Sequence, residues 1–213
     1  CVGGKLYLNN HPYAQKLVLD QGYWPDGQMT PPNVDAFATD ILGAKALGFN
    51  GCRKHEKAED PRFLYQADKL GYLVWGSTAS FYRYDEVSAS RHLAEWSVLL
   101  KRDYNHPCIV CWDVLNESWG VPAIRSDKRQ QRYATALYSL AHALDGTRPV
   151  VSNDGWEMTE TDICALHSYQ HGGPGKADMR KRFIQTLADL DTLSASGLLE
   201  HHQAFASGYR YLG

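Results

Sequence analysis

The segment Cys108-Ile-Val-Cys-Trp-Asp-Val-Leu-Asn-Glu117 contains the clearest fold signal in the chain. Its first eight residues are almost all apolar, which is typical of a short strand buried on both faces in a parallel sheet. A polar pair, Asn116-Glu117, follows at once. The segment therefore predicts a buried strand whose carboxyl end presents an amide and a carboxylate.

Further short apolar stretches on both sides of this segment alternate with amphipathic ones. The stretches predicted as strands are 16–20, 49–53, 72–75, 149–152 and 162–167, and the predicted helices begin at Thr30, Asp60, Ser90, Asp127 and about Lys176, the last running to Ala195. This alternation is typical of parallel βα units, either in a (β/α)₈ TIM barrel or in an open doubly wound sheet. The chain has no G-x-G-x-x-G motif after its first strand and no P-loop, which disfavours the nucleotide-binding open sheets.

Composition narrows the class of function. The chain has 213 residues, which favours one domain, and 22 basic against 24 acidic residues, which disfavours a dedicated nucleic-acid binder. Apolar residues make up 44%, enough for a packed core, yet no apolar run approaches the ~18 residues of a membrane span. Aromatic residues reach 12%, and sugars are commonly bound on aromatic faces. We therefore expect neither a nucleic-acid nor a membrane partner.

Two of the five cysteines, Cys108 and Cys111, form a C-x-x-C pair. Because side chains three positions apart on a strand point to opposite faces, the two thiols cannot bind one metal ion. The chain has no second such pair. These cysteines are predicted to be buried and reduced, and we expect no metal site and no cofactor.

Polar residues stand at nearly every predicted strand exit, where barrel enzymes carry their chemistry. They are Asp20, Arg53 with His55, Trp75, Asn116 with Glu117, Asn153 with Asp154, and His167 with Tyr169. Each one also has a local explanation as a cap or a turn residue, as in Asn153-Asp-Gly155. Together they are expected to converge on one rim.

Glu117 is the strongest catalytic candidate. A carboxyl at the mouth of an apolar strand, with Trp112 and Trp119 beside it, should lose hydration, and burial raises the pKa of such a group. A neutral carboxyl can protonate a glycosidic oxygen as a general acid, while Asn116 holds a sugar hydroxyl. A glutamate that caps a helix in a loop remains the alternative.

The segment from Arg102 to Trp119 resembles the acid/base signature of glycoside hydrolase family 2, which includes β-galactosidases, β-glucuronidases and β-mannosidases. Three more segments agree with that family: Leu19 to Gly27, Gly48 to Pro61, and Val151 to Trp156. The resemblance covers almost the whole chain from Gly4 onward. It implies a (β/α)₈ catalytic domain that hydrolyses O-glycosidic bonds with two carboxylates and retention of configuration.

The resemblance also implies roles for individual residues. Glu117 matches the family's acid/base, Asn116 the partner of the sugar 2-hydroxyl, and Arg53 the second-strand arginine that supports the carboxylates. Tyr169 matches a tyrosine near the nucleophile, and His55 lies one residue away from the position of a sugar-binding histidine. Four further residues are expected to contact the substrate: Asp20, Trp119, Asn153 and His167.

The chain departs from the family pattern at one essential point. No Glu-Phe-Gly or Glu-Tyr-Gly motif, which carries the nucleophile on the seventh strand, is present. Six strands are predicted where a barrel needs eight, and the chain starts at Cys1. We therefore expect 1–213 to be a partial barrel domain without the nucleophile, without the barrel's C-terminal part and without flanking sandwich domains. Such a piece should be inactive alone.

Other interpretations stay open at this stage. One is a carbohydrate-binding or structural fragment without chemistry, and another is a different barrel glycosidase such as a cellulase, which shares the Asn-Glu pair. A metal-dependent hydrolase built on His55, His167 and His171 is disfavoured, because these histidines lack a recognised ligand spacing. A β-glycoside is the expected partner. Self-association through exposed sheet edges is a further expectation. The sequence names neither the sugar nor the compartment.

Overall fold

A five-stranded parallel sheet is the centre of the fold in the computed structural model, which describes residues 5–167, 169 and 175–188. The strands run in chain order, β3-β4-β5-β6-β7. They are β3 (Leu17–Asp20), β4 (Gly51–Lys54), β5 (Leu73–Ser77), β6 (Ile109–Asp113) and β7 (Val150–Val151), and a small antiparallel hairpin of β1 (Tyr7–Leu8) and β2 (His11–Pro12) precedes them. A helix connects each strand to the next, as the alternation predicts.

Four of the five described helices begin where a side chain accepts a free backbone N–H group, and the fifth begins without such a cap. They are α1 (Val34–Ala46), α2 (Pro61–Leu70), α3 (Glu86–Asp103), α4 (Lys128–Leu144) and α5 (Ala177–Leu187). Asp60 caps α2 as predicted, and Asp127, where the start of α4 was predicted, is its cap. Two other starts were placed wrongly: Asn33, not Thr30, caps α1, and Asp85 caps α3 five residues before Ser90. The predicted end of α5 at Ala195 lies outside the described residues.

Side chains alternate between the two faces of the sheet. Cys52 packs in the large core between sheet and helices, and Cys111 belongs to a smaller cluster with Val151 and Ile163 on the inner face. Cys108, like Cys52, lies in the large core between sheet and helices. The prediction that the C-x-x-C thiols lie on opposite faces of the sheet is therefore confirmed. The large apolar side chains of α1 and its C-cap are not all buried. Phe37 and Ile41 are buried, but Leu42 and Leu47 are exposed.

The sixth predicted strand, residues 162–167, does not form a regular ladder. One backbone hydrogen bond joins it to β7, from the Asp162 N–H to the Val150 carbonyl at 3.0 Å, and two further backbone N–H groups, at Val150 and Ser152, are bonded to side chains instead. Asp162 Oδ2 accepts the Val150 N–H at 2.7 Å, and Thr161 Oγ1 accepts the Ser152 N–H at 3.3 Å. The segment runs beside β7 and delivers His167 to the carboxyl end of the sheet.

The parallel register brings the carboxyl ends of all five strands to one edge. Leu19 pairs with Arg53, Arg53 with Trp75, and Ser77 with Asp113 across neighbouring strands. In the part of the chain that the structure describes, no helix is long and apolar enough to cross a membrane. The predicted α/β barrel architecture is confirmed, with β3 and β7 at the two edges of the described sheet.

Candidate active site

A buried arginine organises the floor of the site at the carboxyl edge of the sheet. Arg53, on the inner face of β4, donates from Nε to Asp113 Oδ2 at 2.9 Å and from a terminal nitrogen to Asn116 Oδ1 at 2.7 Å. It also ion-pairs with Asp154 and lies 3.0 Å from His55 Nδ1. One side chain thus orients the amide that precedes Glu117.

Two carboxylates share this single guanidinium. Burial opposes the charged form of Arg53, but Asp113 and Asp154 outweigh burial, so the pKa of Arg53 is raised. Asp113 is fully buried, and burial together with the charge of Asp154 raises the pKa of Asp113 well above its usual range. The pKa of Asp154 is lowered despite its burial, because His167 and Arg53 both contact it. The two carboxylates on the floor therefore have pKa values shifted in opposite directions.

The backbone at Glu117 and Ser118 is left-handed, with φ values of 48° and 60°. This conformation costs a non-glycine residue about 1–2 kcal/mol, and such strain is concentrated at functional sites. Asn153 holds the pair in place: its Oδ1 accepts the Ser118 N–H at 2.9 Å, and its Nδ2 donates to Ser118 Oγ at 2.9 Å and to the Glu157 carbonyl at 2.5 Å. The Glu117 N–H donates to the Asp154 carbonyl at 2.9 Å.

The carboxylate of Glu117 accepts two hydrogen bonds on the same oxygen. The Tyr169 hydroxyl donates to Oε1 at 2.6 Å, and His167 Nδ1 donates to it at 2.7 Å. His167 Nε2 lies 3.4 Å from Asp154 Oδ1, so the imidazole bridges the two carboxylates. Burial lowers the pKa of His167, but both carboxylates raise it, and the net pKa is raised.

The pKa direction expected for Glu117 was wrong. Burial raises the pKa of Glu117, but the hydrogen bonds from Tyr169 and His167 outweigh burial, and the net pKa is lowered. One of the two tryptophans expected to dehydrate it does not reach it. Trp112 faces the helices, where it packs edge-on against Trp96 and donates to Asp145 Oδ2 at 2.8 Å.

Most of the residues predicted for the site meet at the mouth of the sheet: Arg53, His55, Asn116, Glu117, His167 and Tyr169. Asp20 was predicted to contact the substrate, but it does not reach the site. It faces the helices, where its Oδ2 lies 2.5 Å from Lys54 Nζ. Asn153 is fully buried and holds Ser118 instead of facing a substrate. Trp119 lies on the rim, 45% exposed.

The sequence interpretation missed the role of Asp113. It is the only charged residue in the apolar segment 108–115, and that isolation was the available signal. Glu56 also reaches the site: its Oε1 accepts the Ser80 hydroxyl at 2.5 Å and lies 3.5 Å from Asn116 Nδ2.

A cluster of possible metal ligands lies at the opposite end of β6. Donor atoms of Asp68, His106 and Cys108 fall within 4.8 Å of one another. Asp68 already accepts the Cys108 N–H at 2.8 Å and lies 2.6 Å from His106 Nδ1, so hydrogen bonds explain the arrangement. Of the three histidines considered for a metal hydrolase, His171 lies outside the described residues.

An α/β barrel sheet with a carboxylate, an amide and an arginine at its carboxyl edge defines a class of barrel enzymes with their chemistry at that edge. Residues 32–189 match the model of the glycosyl hydrolases family 2, TIM barrel domain, and the chain belongs to this family. The predicted resemblance is thereby confirmed.

Proteins similar to this chain in sequence include β-galactosidases and β-glucuronidases. The chain is 28% identical over 158 residues to a β-galactosidase of Thermoanaerobacter pseudethanolicus, covering 68% of this chain and 19% of that protein. It is 35% identical over 136 residues to the β-glucuronidase of Canis lupus familiaris, covering 58% and 20%. The chain thus spans about a fifth of the length of these relatives.

Solved structures share the fold. An FMN-binding β-glucuronidase from Facaelibacterium prausnitzii L2-6 superposes with a TM-score of 0.73 at 19% identity, covering 91% of this chain and 30% of that one. A β-galacturonidase from Eisenbergiella tayi superposes with a TM-score of 0.70 at 21% identity, covering 87% and 34%.

Proposed function

We propose that this chain carries the acid/base part of a glycoside hydrolase site that cleaves β-glycosides with retention of configuration. The observation that carries the proposal is the position of Glu117: a half-buried carboxylate at the carboxyl edge of a barrel sheet, beside Asn116 and above Arg53. Membership of glycosyl hydrolases family 2 supports it. The sugar itself is left open, since the relatives' names include both galactosidases and glucuronidases.

Each group at the mouth has a task in this reaction. Glu117 protonates the departing glycosidic oxygen in the first step and activates water in the second. Both of its hydrogen bonds fall on Oε1, so we assign Oε2 to the reacting oxygen. Arg53 donates a hydrogen bond to the side-chain oxygen of Asn116, and this orients the side-chain nitrogen of Asn116 toward a sugar hydroxyl. Tyr169 and His167 hold the carboxylate in place.

The lowered pKa of Glu117 fits the base of the second step. The first step needs the protonated acid, and the charge of a nucleophilic carboxylate about 5–5.5 Å away raises the pKa of its partner. Asp113 and Asp154 are poor candidates for that nucleophile, because both are buried against Arg53. Since residues 1–213 also contain no Glu-Phe-Gly or Glu-Tyr-Gly motif, we place the nucleophile outside these residues.

The test is Glu117→Gln in the full-length protein, with Glu160→Gln as the control, since Glu160 is an exposed glutamate away from the cluster. Glu117→Gln should slow hydrolysis of alkyl glycosides by about 10²–10⁴-fold, because their leaving groups need a proton. Dinitrophenyl glycosides should still form the covalent intermediate, and azide should accelerate its breakdown. The 213-residue chain alone should show no turnover.

Two outcomes would contradict the proposal. Equal losses for all leaving groups, without azide rescue, would reject the acid/base role of Glu117. Binding of glycosides without any Glu117-dependent turnover would favour the non-catalytic carbohydrate-binding interpretation. Clear turnover by the isolated chain would show that the nucleophile lies within it.

A further inference from the structure

Two exposed aromatic rings form a corner on the rim of the site. Tyr82 is 73% exposed and Trp119 is 45% exposed, and their ring centroids lie 5.3 Å apart at an interplanar angle of 77°. Tyr82 lies between β5 and α3, and Trp119 lies two residues after Glu117. Covering these rings with a ligand would remove apolar surface from water, which is favourable.

The loops that carry the two rings are held together beneath them. Phe81, next to Tyr82, packs so closely on Gly120 that a Cβ there would lie 2.5 Å from its ring. Phe81 also contacts His92, with centroids 4.8 Å apart. The Trp119 N–H donates to the Asn116 carbonyl at 2.9 Å. The aromatic corner is therefore attached to the same turn that positions Glu117.

The depth of the neighbouring groups decides which part of a substrate meets this corner. Arg53 and Asn116 are buried, with exposures of 8% and 3%, whereas Glu117 is half-buried and the two rings lie outermost. Glu117 must reach the oxygen that joins the two halves of a glycoside. If the reacting sugar lies over the deep polar groups, the leaving group extends toward the rim.

We propose that Tyr82 and Trp119 form the binding site for the leaving group, and that this leaving group is a ring with an apolar face, either an aryl group or a sugar. The proposal rests on the proposed function, because it takes Glu117 as the acid. Offset-stacked and edge-to-face contacts with aromatic rings favour such partners. The corner offers one ring face and one ring edge to the same ligand.

The test measures inhibition of the full-length protein by non-hydrolysed 1-thio-β-glycosides of the sugar that it cleaves fastest. Three inhibitors differ only in the aglycone: methyl, phenyl, and a second sugar linked through sulfur. Trp119→Ala and Tyr82→Ala should each weaken the inhibitors with a ring by about tenfold, as one aromatic contact is worth roughly this factor. The methyl inhibitor should change less than twofold. Tyr65→Ala, which removes a ring 56% exposed on α2, is the matched control and should change none of them.

The outcomes separate this proposal from the one on which it rests. A tenfold loss for either ring-bearing inhibitor supports the corner as the leaving-group site and identifies which ring it prefers. Equal losses for all three inhibitors, or none, would overturn it. A change of oligomeric state in both alanine variants, with unchanged inhibition, would also overturn it and assign the corner to a protein contact. Loss of turnover in Glu117→Gln reports on the proposed function alone.

Discussion

Asn153→Ala tests whether the left-handed turn at Glu117 depends on the amide that holds it. Asn153 is fully buried and makes three hydrogen bonds, to the Ser118 N–H, to Ser118 Oγ and to the Glu157 carbonyl. Alanine removes all three without adding bulk. The backbone of Glu117 and Ser118 is then free to leave the left-handed region.

The size of the effect follows from two opposing terms. Three ordinary hydrogen bonds contribute about 3 kcal/mol in total. Holding Glu117 and Ser118 left-handed costs about 1–2 kcal/mol each, or about 2–4 kcal/mol together. Because the two terms are of similar size, the variant should lose its preference for the present turn. A misplaced acid/base forfeits a contribution of about 10²–10⁴-fold, so we expect at least about 100-fold slower hydrolysis of alkyl glycosides.

The assay compares kcat for alkyl and dinitrophenyl glycosides in the full-length protein, together with the free energy of unfolding. Asn50→Ala is the matched control, since Asn50 also joins two segments, accepting the Lys16 N–H at 2.7 Å and donating to the Ala14 carbonyl at 2.8 Å, but before β4 at the other end of the sheet. Both variants should be destabilised by a few kcal/mol. Only Asn153→Ala should change the ratio between the two substrates. An unchanged ratio in Asn153→Ala would show that Asn153 is not needed to hold Glu117 in its catalytic position.

Two further predictions concern neighbouring parts of the fold. Gly155→Ala should displace His167, because Gly155 has φ of 91° and a Cβ there would overlap the imidazole. We expect at least about tenfold lower activity. Gly146→Ala is the control and should behave as wild type, because its Cβ would meet nothing closer than 3.8 Å. Burial raises the pKa of Asp145, but hydrogen bonds from Thr147, Trp112 and Arg148 outweigh burial and lower this pKa to about 2 from 3.8. The stabilising contribution of Asp145 is therefore complete above pH 4 and is lost as the pH falls toward 2. Asp145→Asn should flatten this acid limb in urea unfolding measured from pH 2 to pH 6, and a limb as steep as wild type would contradict the assignment.

The helix starts show which features can be predicted from residues that are neighbours in the sequence. Asp60 was predicted as a cap and Asp127 as a helix start, and in the structure both are N-caps. Asp85 was missed although it is the same kind of residue, because Ser88 and Ser90, which follow it, are also residue types that cap helices. Capping is a contact within three residues, so its chemistry is visible in the sequence even where the position is ambiguous.

Facing directions were less predictable. Asp20 stands at a strand exit like Arg53, yet it points to the helices and pairs with Lys54. Trp112 lies close to Glu117 in the chain but on the helix-facing side of the sheet. A shift of one position on a strand reverses the face, so an error of one residue in a strand end moves a side chain out of the site.

The sequence by itself determined the alternation of strands and helices, the strand that ends in Asn116-Glu117, and the family, because these depend on local periodicity and on a contiguous signature. Only the tertiary structure decided the direction in which the pKa of Glu117 is shifted. The two donors that lower the pKa of Glu117, His167 and Tyr169, lie 50 and 52 positions away along the chain. The pKa of a carboxyl depends on the groups within a few ångströms, and contacts over such separations arise only when the chain folds.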